Sequence, residues 1–154
     1  MSIFPTRILL ATDGSREAEL AALRAVDLAQ CTDSELHVVH VGVLPKFLES
    51  YPGTLGYHGK LYEQIEEESR RRLRKESWQV KAAGGTVAGA HLRMGKVDLE
   101  IVALAEELGV GLIVMGSRGL GGVRRALMGS VSDSVVRHAH CPVLVVRPEK
   151  EQAA

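Results

Sequence analysis

Short uninterrupted apolar runs alternate along the chain with longer stretches whose apolar residues recur every three or four positions. Residues 7–12 form the first run, Arg7-Ile8-Leu9-Leu10-Ala11-Thr12, closed by Asp13-Gly14-Ser15, which predicts a buried strand followed by a turn and a helix cap. Over 16–30, Arg16, Glu17, Arg24 and Asp27 share one face and Ala18, Ala21, Ala22, Ala25 and Ala29 the other, predicting a helix that packs close to a sheet. A second strand is predicted over 36–43. Residues 44–58 carry Pro45, Pro52, Gly53 and Gly56 and are expected to be a long mobile surface connection of the kind that can act as a lid.

The stretch 61–83 has Leu61, Ile65, Leu73 and Val80 at helical spacing, with Ser69 interrupting the stripe, and Gly84-Gly85 stops it. Its charges run from Glu63, Glu66, Glu67 and Glu68 to Arg70, Arg71, Arg72, Arg74 and Lys75, which suits the helix dipole and i,i+4 pairs such as Glu66 with Arg70 and reads as a solvated face. A strand over 86–93, a helix over 97–108 closed by Gly109, and a fully apolar strand over 112–115 follow. A glycine-rich loop over 116–128, a helix over 130–138 and a strand over 142–146 complete the pattern, and the chain end from 149 is expected to fray.

Five apolar strands alternating with four main helices predict an α/β fold with a parallel, doubly wound sheet, because parallel strands need crossover helices that cover both faces. Ligands of such sheets lie beyond the carboxyl ends of the strands, which directs attention to Asp13, Val41 and the loop that opens at Gly116. The expected organisation is a single domain over 1–148 with a short tail over 149–154.

Composition narrows the partners. The 154 residues are 45% hydrophobic and 25% charged, as in ordinary globular domains, and 19 basic residues balance 19 acidic ones, so no global field favours nucleic acid. Cys31 and Cys141 make no C-x-x-C arrangement, no apolar run approaches membrane-spanning length, and the N-terminus lacks the form of a signal peptide. The expectation is a cytoplasmic protein with no membrane and no nucleic acid as partner.

The loop Gly116-Ser117-Arg118-Gly119 through Gly129-Ser130-Val131-Ser132 carries the most chemistry. Glycines at 116 and 119 are expected to let backbone N–H groups approach a ligand, and the helix opening at 130 offers free N–H groups to an anion. Ser130 and Ser132 add hydroxyls, and Arg118, Arg124 and Arg125 add charge, so a phosphate chain is the natural guest. A P-loop is absent, since Gly59-Lys60 and Gly95-Lys96 precede Leu and Val, and a dinucleotide fingerprint from Gly119 and Gly121 fails at Arg124.

Gly116-x-x-Gly119, nine residues, then Gly129-Ser130 matches G-2x-G-9x-G-[ST] and resembles the ATP-binding branch of the universal stress protein family. The resemblance also takes in Ile8-Leu9-Leu10-Ala11-Thr12-Asp13-Gly14-Ser15, His40-Val41, Leu112-Ile113-Val114-Met115 and Cys141-Pro142-Val143-Leu144-Val145-Val146, and so covers nearly the whole chain. It implies an adenine nucleotide alpha hydrolase-like sheet ordered 3-2-1-4-5 with ATP between strands 1 and 4. By that resemblance Ala11, Thr12 and Asp13 line the adenosine side and Val41 meets the adenine through its backbone. Met115, Gly116, Arg118, Gly119, Gly129, Ser130, Val131 and Ser132 then hold ribose and phosphates, and Mg²⁺ or Mn²⁺ is bound through the phosphates. Lys96-Val97 after Gly95 departs from the acidic residue and proline that many members carry there.

Other readings stay open. Asp13 also suits a turn or helix cap, and the glycine loop also suits a surface loop without a ligand. His138, His140 and Cys141 suggest a metal, but a helix end running at once into a strand would not aim all three at one point. His37, His58 and His91 show no partner pattern, and Trp78 reads as a packing residue. No nucleophile and base stand in a compelling order, so the reading is an ATP-binding regulatory module with weak hydrolysis at most. A slow ATPase or nucleotidyl-transfer enzyme, and a protein-interaction or cyclic AMP-binding module, are the alternatives. The last strand, over 142–147, would lie at a sheet edge and predicts a homodimer by self-pairing.

Overall fold

The computed structural model describes residues 2–49, 57–117 and 129–148. Five strands, β1 (Arg7–Ala11), β2 (Glu35–Gly42), β3 (Val87–Met94), β4 (Leu112–Gly116) and β5 (Val143–Val146), form one all-parallel sheet ordered β3-β2-β1-β4-β5. Helices α1 (Arg16–Thr32), α2 (Lys46–Glu49), α3 (Tyr57–Ala82), α4 (Val97–Leu108) and α5 (Ser130–His138) connect them.

Alternation along the central strands sorts the core into two layers. Ile8, Leu10, Leu36, Val38, Leu112 and Val114 pack with Ala21, Ala25, Val26, Leu73 and Val80 of α1 and α3. Leu9, Ala11, Val39, Val41, Ile113 and Met115 pack with Ile101, Leu104, Ala105 and Val135 of α4 and α5. Because the central strands are covered on both sides, they read as continuous apolar runs, and the three-layer, doubly wound α/β architecture follows.

The cap at Asp13-Gly14-Ser15 resolves into three roles. Ser15 caps α1 by accepting from Ala18 N at 3.2 Å, Asp13 Oδ1 accepts from Ser15 N at 2.9 Å, and Gly14 takes the left-handed conformation, φ 79°, that the turn requires. Helix α1 runs two residues past its expected end because Asp33, left-handed at φ 55°, donates its N–H to Ala29 O. Helix α4 closes at Gly109 as expected, with its N–H shared between Ala105 O and Glu106 O.

Two expectations are corrected. The connection over 44–58 contains α2, and α3 begins at Tyr57; the remaining residues 50–56, on which a lid would depend, lie outside the described residues. Trp78 is not a packing residue: it is 68% exposed, because the buried side of α3 runs through Leu73, Glu76, Ser77 and Val80.

Candidate functional site

A cavity of about 710 Å³ opens across the carboxyl ends of β1, β2 and β4. Ala11, Thr12 and Asp13 line its floor, Val39 to Val43 one side, and Met115, Gly116, Gly129, Ser130, Val131 and Ser132 the other. Of the residues expected at the site, Ala11, Thr12, Asp13, Val41, Met115, Gly116, Gly129, Ser130, Val131 and Ser132 are thus brought together, whereas Arg118 and Gly119 lie outside the described residues, as do Arg124 and Arg125. Lys96 is at the N-cap of α4 and is not among the described residues lining the cavity.

The α5 side is built for negative charge. Gly129 is its N-cap, and the first helical bond is Asp133 N to Gly129 O at 3.0 Å, so the N–H groups of Ser130, Val131 and Ser132 precede any intrahelical partner. Glycine at 129 leaves these donors without a competing side-chain cap.

Ser117 ties the mouth of the loop together. Its N–H donates to Val146 O at 2.9 Å, its hydroxyl donates to Glu17 Oε2 at 2.8 Å, and its carbonyl accepts both Gly129 N at 2.6 Å and Ser132 Oγ at 2.7 Å. Ser132 is 2% exposed, so its hydroxyl proton is committed to this stem and its backbone N–H is the donor left to face the cavity. Gly116, which lines the cavity, is also held to glycine by its packing. A Cβ there would come within 3.0 Å of Glu17 C and Cβ and 3.2 Å of Ala18 N, so the missing methyl group makes room for the start of α1.

The remaining wall comes from residues that the sequence reading passed over. Leu61, Gln64, Ile65, Glu68, Ser69 and Arg72 of α3 line the cavity, with Val97 and Ile101 of α4. Glu68 and Arg72, 3.6 Å apart and about half exposed, belong to the charge run read as solvated, which elsewhere behaves as expected: Arg70 donates to Glu66 at 2.7 Å. Deeper in, His40 Nδ1 lies 3.1 and 3.2 Å from the two carboxylate oxygens of Glu76. Their separation of 36 positions gives no local signal; only the docking of α3 on β2 joins them.

Other polar clusters lie away from the cavity. On the α4 side of β2 and β3, His37 Nδ1 meets His91 Nε2 at 3.1 Å, with the rings stacked, and His37 Nε2 faces Glu35 at 3.3 Å. Burial, then His37 and Arg93, hold the His91 imidazole below its usual range, against Glu107. The Glu35 carboxyl is held low chiefly by its bond to His37. Burial pushes the Asp98 carboxyl up, but the hydrogen bond from Ser134, backbone N–H groups and Lys96 bring it below its usual value. At the chain end, the His138 ring bonds the Ser134 carbonyl at 2.8 Å, the His140 ring bonds Val110 O at 3.0 Å, and burial raises the Cys141 thiol. No group of three His, Cys, Asp or Glu able to hold a metal is found among the described residues.

A three-layer parallel α/β domain with a cleft over its central strands and a helix N-terminus at one end of that cleft is a doubly wound fold of the nucleotide-binding kind. Comparison makes this specific: the model of the universal stress protein family matches residues 5–147, and the chain belongs to that family. A putative universal stress protein of Staphylococcus haemolyticus is 40% identical over 144 residues, covering 93% of this chain and 85% of that protein. Among solved structures, the hypothetical protein MJ0577 superposes with a TM-score of 0.80 at 27% identity, over 97% of this chain and 100% of that one. A universal stress protein in complex with cAMP superposes at 0.65 with 26% identity, over 96% and 100% of the two chains. No helix among the described residues is long and apolar enough to cross a membrane.

Proposed function

We propose that the cavity binds an adenine nucleotide, with ATP as the favoured ligand, and that the protein acts as a nucleotide-dependent regulatory module of the stress response. The observation that carries this reading is the convergence of Ala11, Thr12, Asp13, Val41, Met115, Gly116 and the start of α5 on one cavity. The N–H groups of Ser130, Val131 and Ser132 take phosphate oxygens, joined by Arg118 and Gly119 of the glycine loop, while Thr12, Asp13 and Val41 take the nucleoside. Mg²⁺ or Mn²⁺ binds through the phosphates, because that donor set supplies hard oxygen ligands without a protein cluster. A few charge-assisted bonds plus base burial reach the roughly 8 kcal/mol that micromolar binding needs.

No catalytic role is assigned to any residue. The neighbour that holds cAMP favours one second reading, a cyclic adenine nucleotide in the same cleft. In the assembly we propose, β5 at the sheet edge pairs with its copy across a two-fold axis in a cytoplasmic homodimer, which would cover Leu144, 37% exposed on that strand.

The test is to denature freshly purified protein and identify what is released by chromatography and mass, with Gly119→Val in parallel. Near-stoichiometric ATP or ADP from the wild type alone supports the reading. Release of cAMP selects the second. An empty protein that also fails to bind added nucleotide overturns both.

A further inference from the structure

The wall of the cavity holds an ionisable pair that the nucleotide reading leaves unused. His40 and Glu76 keep only 6% and 5% of their side chains accessible, and two charged or chargeable groups this deeply buried carry a large desolvation cost unless they are paired. Glu76 reaches from α3 to His40 on β2. It also lies under the turn after β1, where a Cβ on Gly14 would be 3.4 Å from its Oε1. One carboxylate therefore ties α3 to β2 and lies beside the turn after β1.

A carboxylate accepts only, so the bond between Glu76 and Nδ1 places the imidazole proton on Nδ1. In the neutral imidazole the opposite nitrogen, Nε2, presents a lone pair. It has no hydrogen-bond partner among the described residues, yet it is not sealed in: the one buried side-chain polar atom without a partner among them is Ser77 Oγ. His40 itself lines the cavity.

We propose that His40 is a specificity-determining residue of the cleft, accepting at Nε2 a hydrogen bond from a donor on the nucleoside part of the ligand, and that Glu76 is its positioning residue. This rests on the nucleotide reading above. The sheet order supports the nucleoside assignment. Strand β1 separates β2 from β4, so His40 is two strand spacings, roughly 10 Å, across the sheet from the β4–α5 end where phosphates would bind. Two donors fit: the exocyclic amino group of adenine and a ribose hydroxyl.

The test measures binding of ATP, inosine triphosphate, 2′-deoxy-ATP and 3′-deoxy-ATP by calorimetry to the wild type and to His40→Leu, His40→Gln and Glu76→Gln. Inosine triphosphate lacks the amino group and the deoxy nucleotides each lack one hydroxyl, so the arms distinguish the donors. We expect one analogue to bind the wild type roughly ten-fold or more weakly than ATP, as loss of a hydrogen bond to a buried acceptor implies. That discrimination should collapse in His40→Leu, shrink in Glu76→Gln, which frees the tautomer without touching ligand, and persist in His40→Gln, whose amide oxygen replaces the acceptor. Discrimination unchanged in His40→Leu, or absent from the wild type, overturns the proposal and leaves the pair a link between α3 and the sheet. If His40→Leu does not fold, unchanged discrimination in Glu76→Gln overturns it equally. A wild type that binds no nucleotide overturns the reading of the cleft itself, a result distinct from both.

Discussion

The hydroxyl of Ser132 donates to the carbonyl oxygen of Ser117 across 2.7 Å, joining the first turn of α5 to the end of β4. Ser132→Ala removes this bond, while Ser117 O keeps Gly129 N as a partner. The expected loss of stability is therefore that of one net hydrogen bond, about 1 kcal/mol, read as a shift in the urea midpoint. Nucleotide affinity should fall with it, since the stem that aims α5 at the cavity is loosened; an unchanged midpoint would remove Ser132 from the stem.

Gly116→Ala places a methyl group 3.0 Å from Glu17 C, a backbone atom that cannot turn aside. The start of α1 must shift away from β4, at an expected cost of about 1–3 kcal/mol for overpacking. Equilibrium denaturation checks this, and a neutral result would mean that α1 is free to recede.

Ser130→Asp should separate stability from binding. A carboxylate at the first position of α5 complements the helix dipole and is expected to hold or raise stability by about 0.3–1 kcal/mol, while repelling phosphates from the same N–H groups. The predicted outcome is an equal or higher melting temperature together with a loss of ATP affinity by an order of magnitude, of roughly 1.4 kcal/mol. Full affinity would place the phosphates elsewhere.

The pH dependence of stability should carry the signature of His91. Its imidazole is held below the ordinary value of 6.5 by burial, His37 and Arg93, with Glu107 opposing. At neutral pH and above, folded and unfolded chains are both neutral at this residue. As pH falls through 6.5 the unfolded chain takes up the proton first, so stability is lost toward acid until the folded residue titrates as well. Urea midpoints measured from pH 8 to 5 should fall, and His91→Asn should flatten that segment of the curve. Asp98, held below 3.8, contributes in the same direction only at more acidic pH.

The sheet was legible because its central strands are apolar on both faces; β1 and β4 needed no partner information to be recognised. Helices α4 and α5 were bounded correctly by Gly109 and by Gly129-Ser130, residues whose backbone roles are local. The floor and α5 side of the cavity were legible for the same reason, since a turn after β1 and a helix start after the glycine loop fix them in the sequence. The α3 wall was not. Whether Arg72 faces water or the cavity depends on how α3 lies across β2, and its charge pattern fits either. The pairs His40–Glu76 and His37–His91 are made by packing and register between positions 36 and 54 apart, beyond any local pattern. Trp78 was misread because size and apolarity favour burial on average, whereas the phase of α3 points it to solvent.

The bond from Gly129 N to Ser117 O, with Val146 and Glu17 anchoring Ser117 from two other elements, clamps both ends of the segment 118–128 to the scaffold independently of what lies between them. Once the ends are clamped, doubling the length of an intervening segment costs only about 0.6 kcal/mol in closure entropy. Evolution or an engineer can therefore rewrite that interval as a cassette, while β4, α5 and the core beneath them retain their positions.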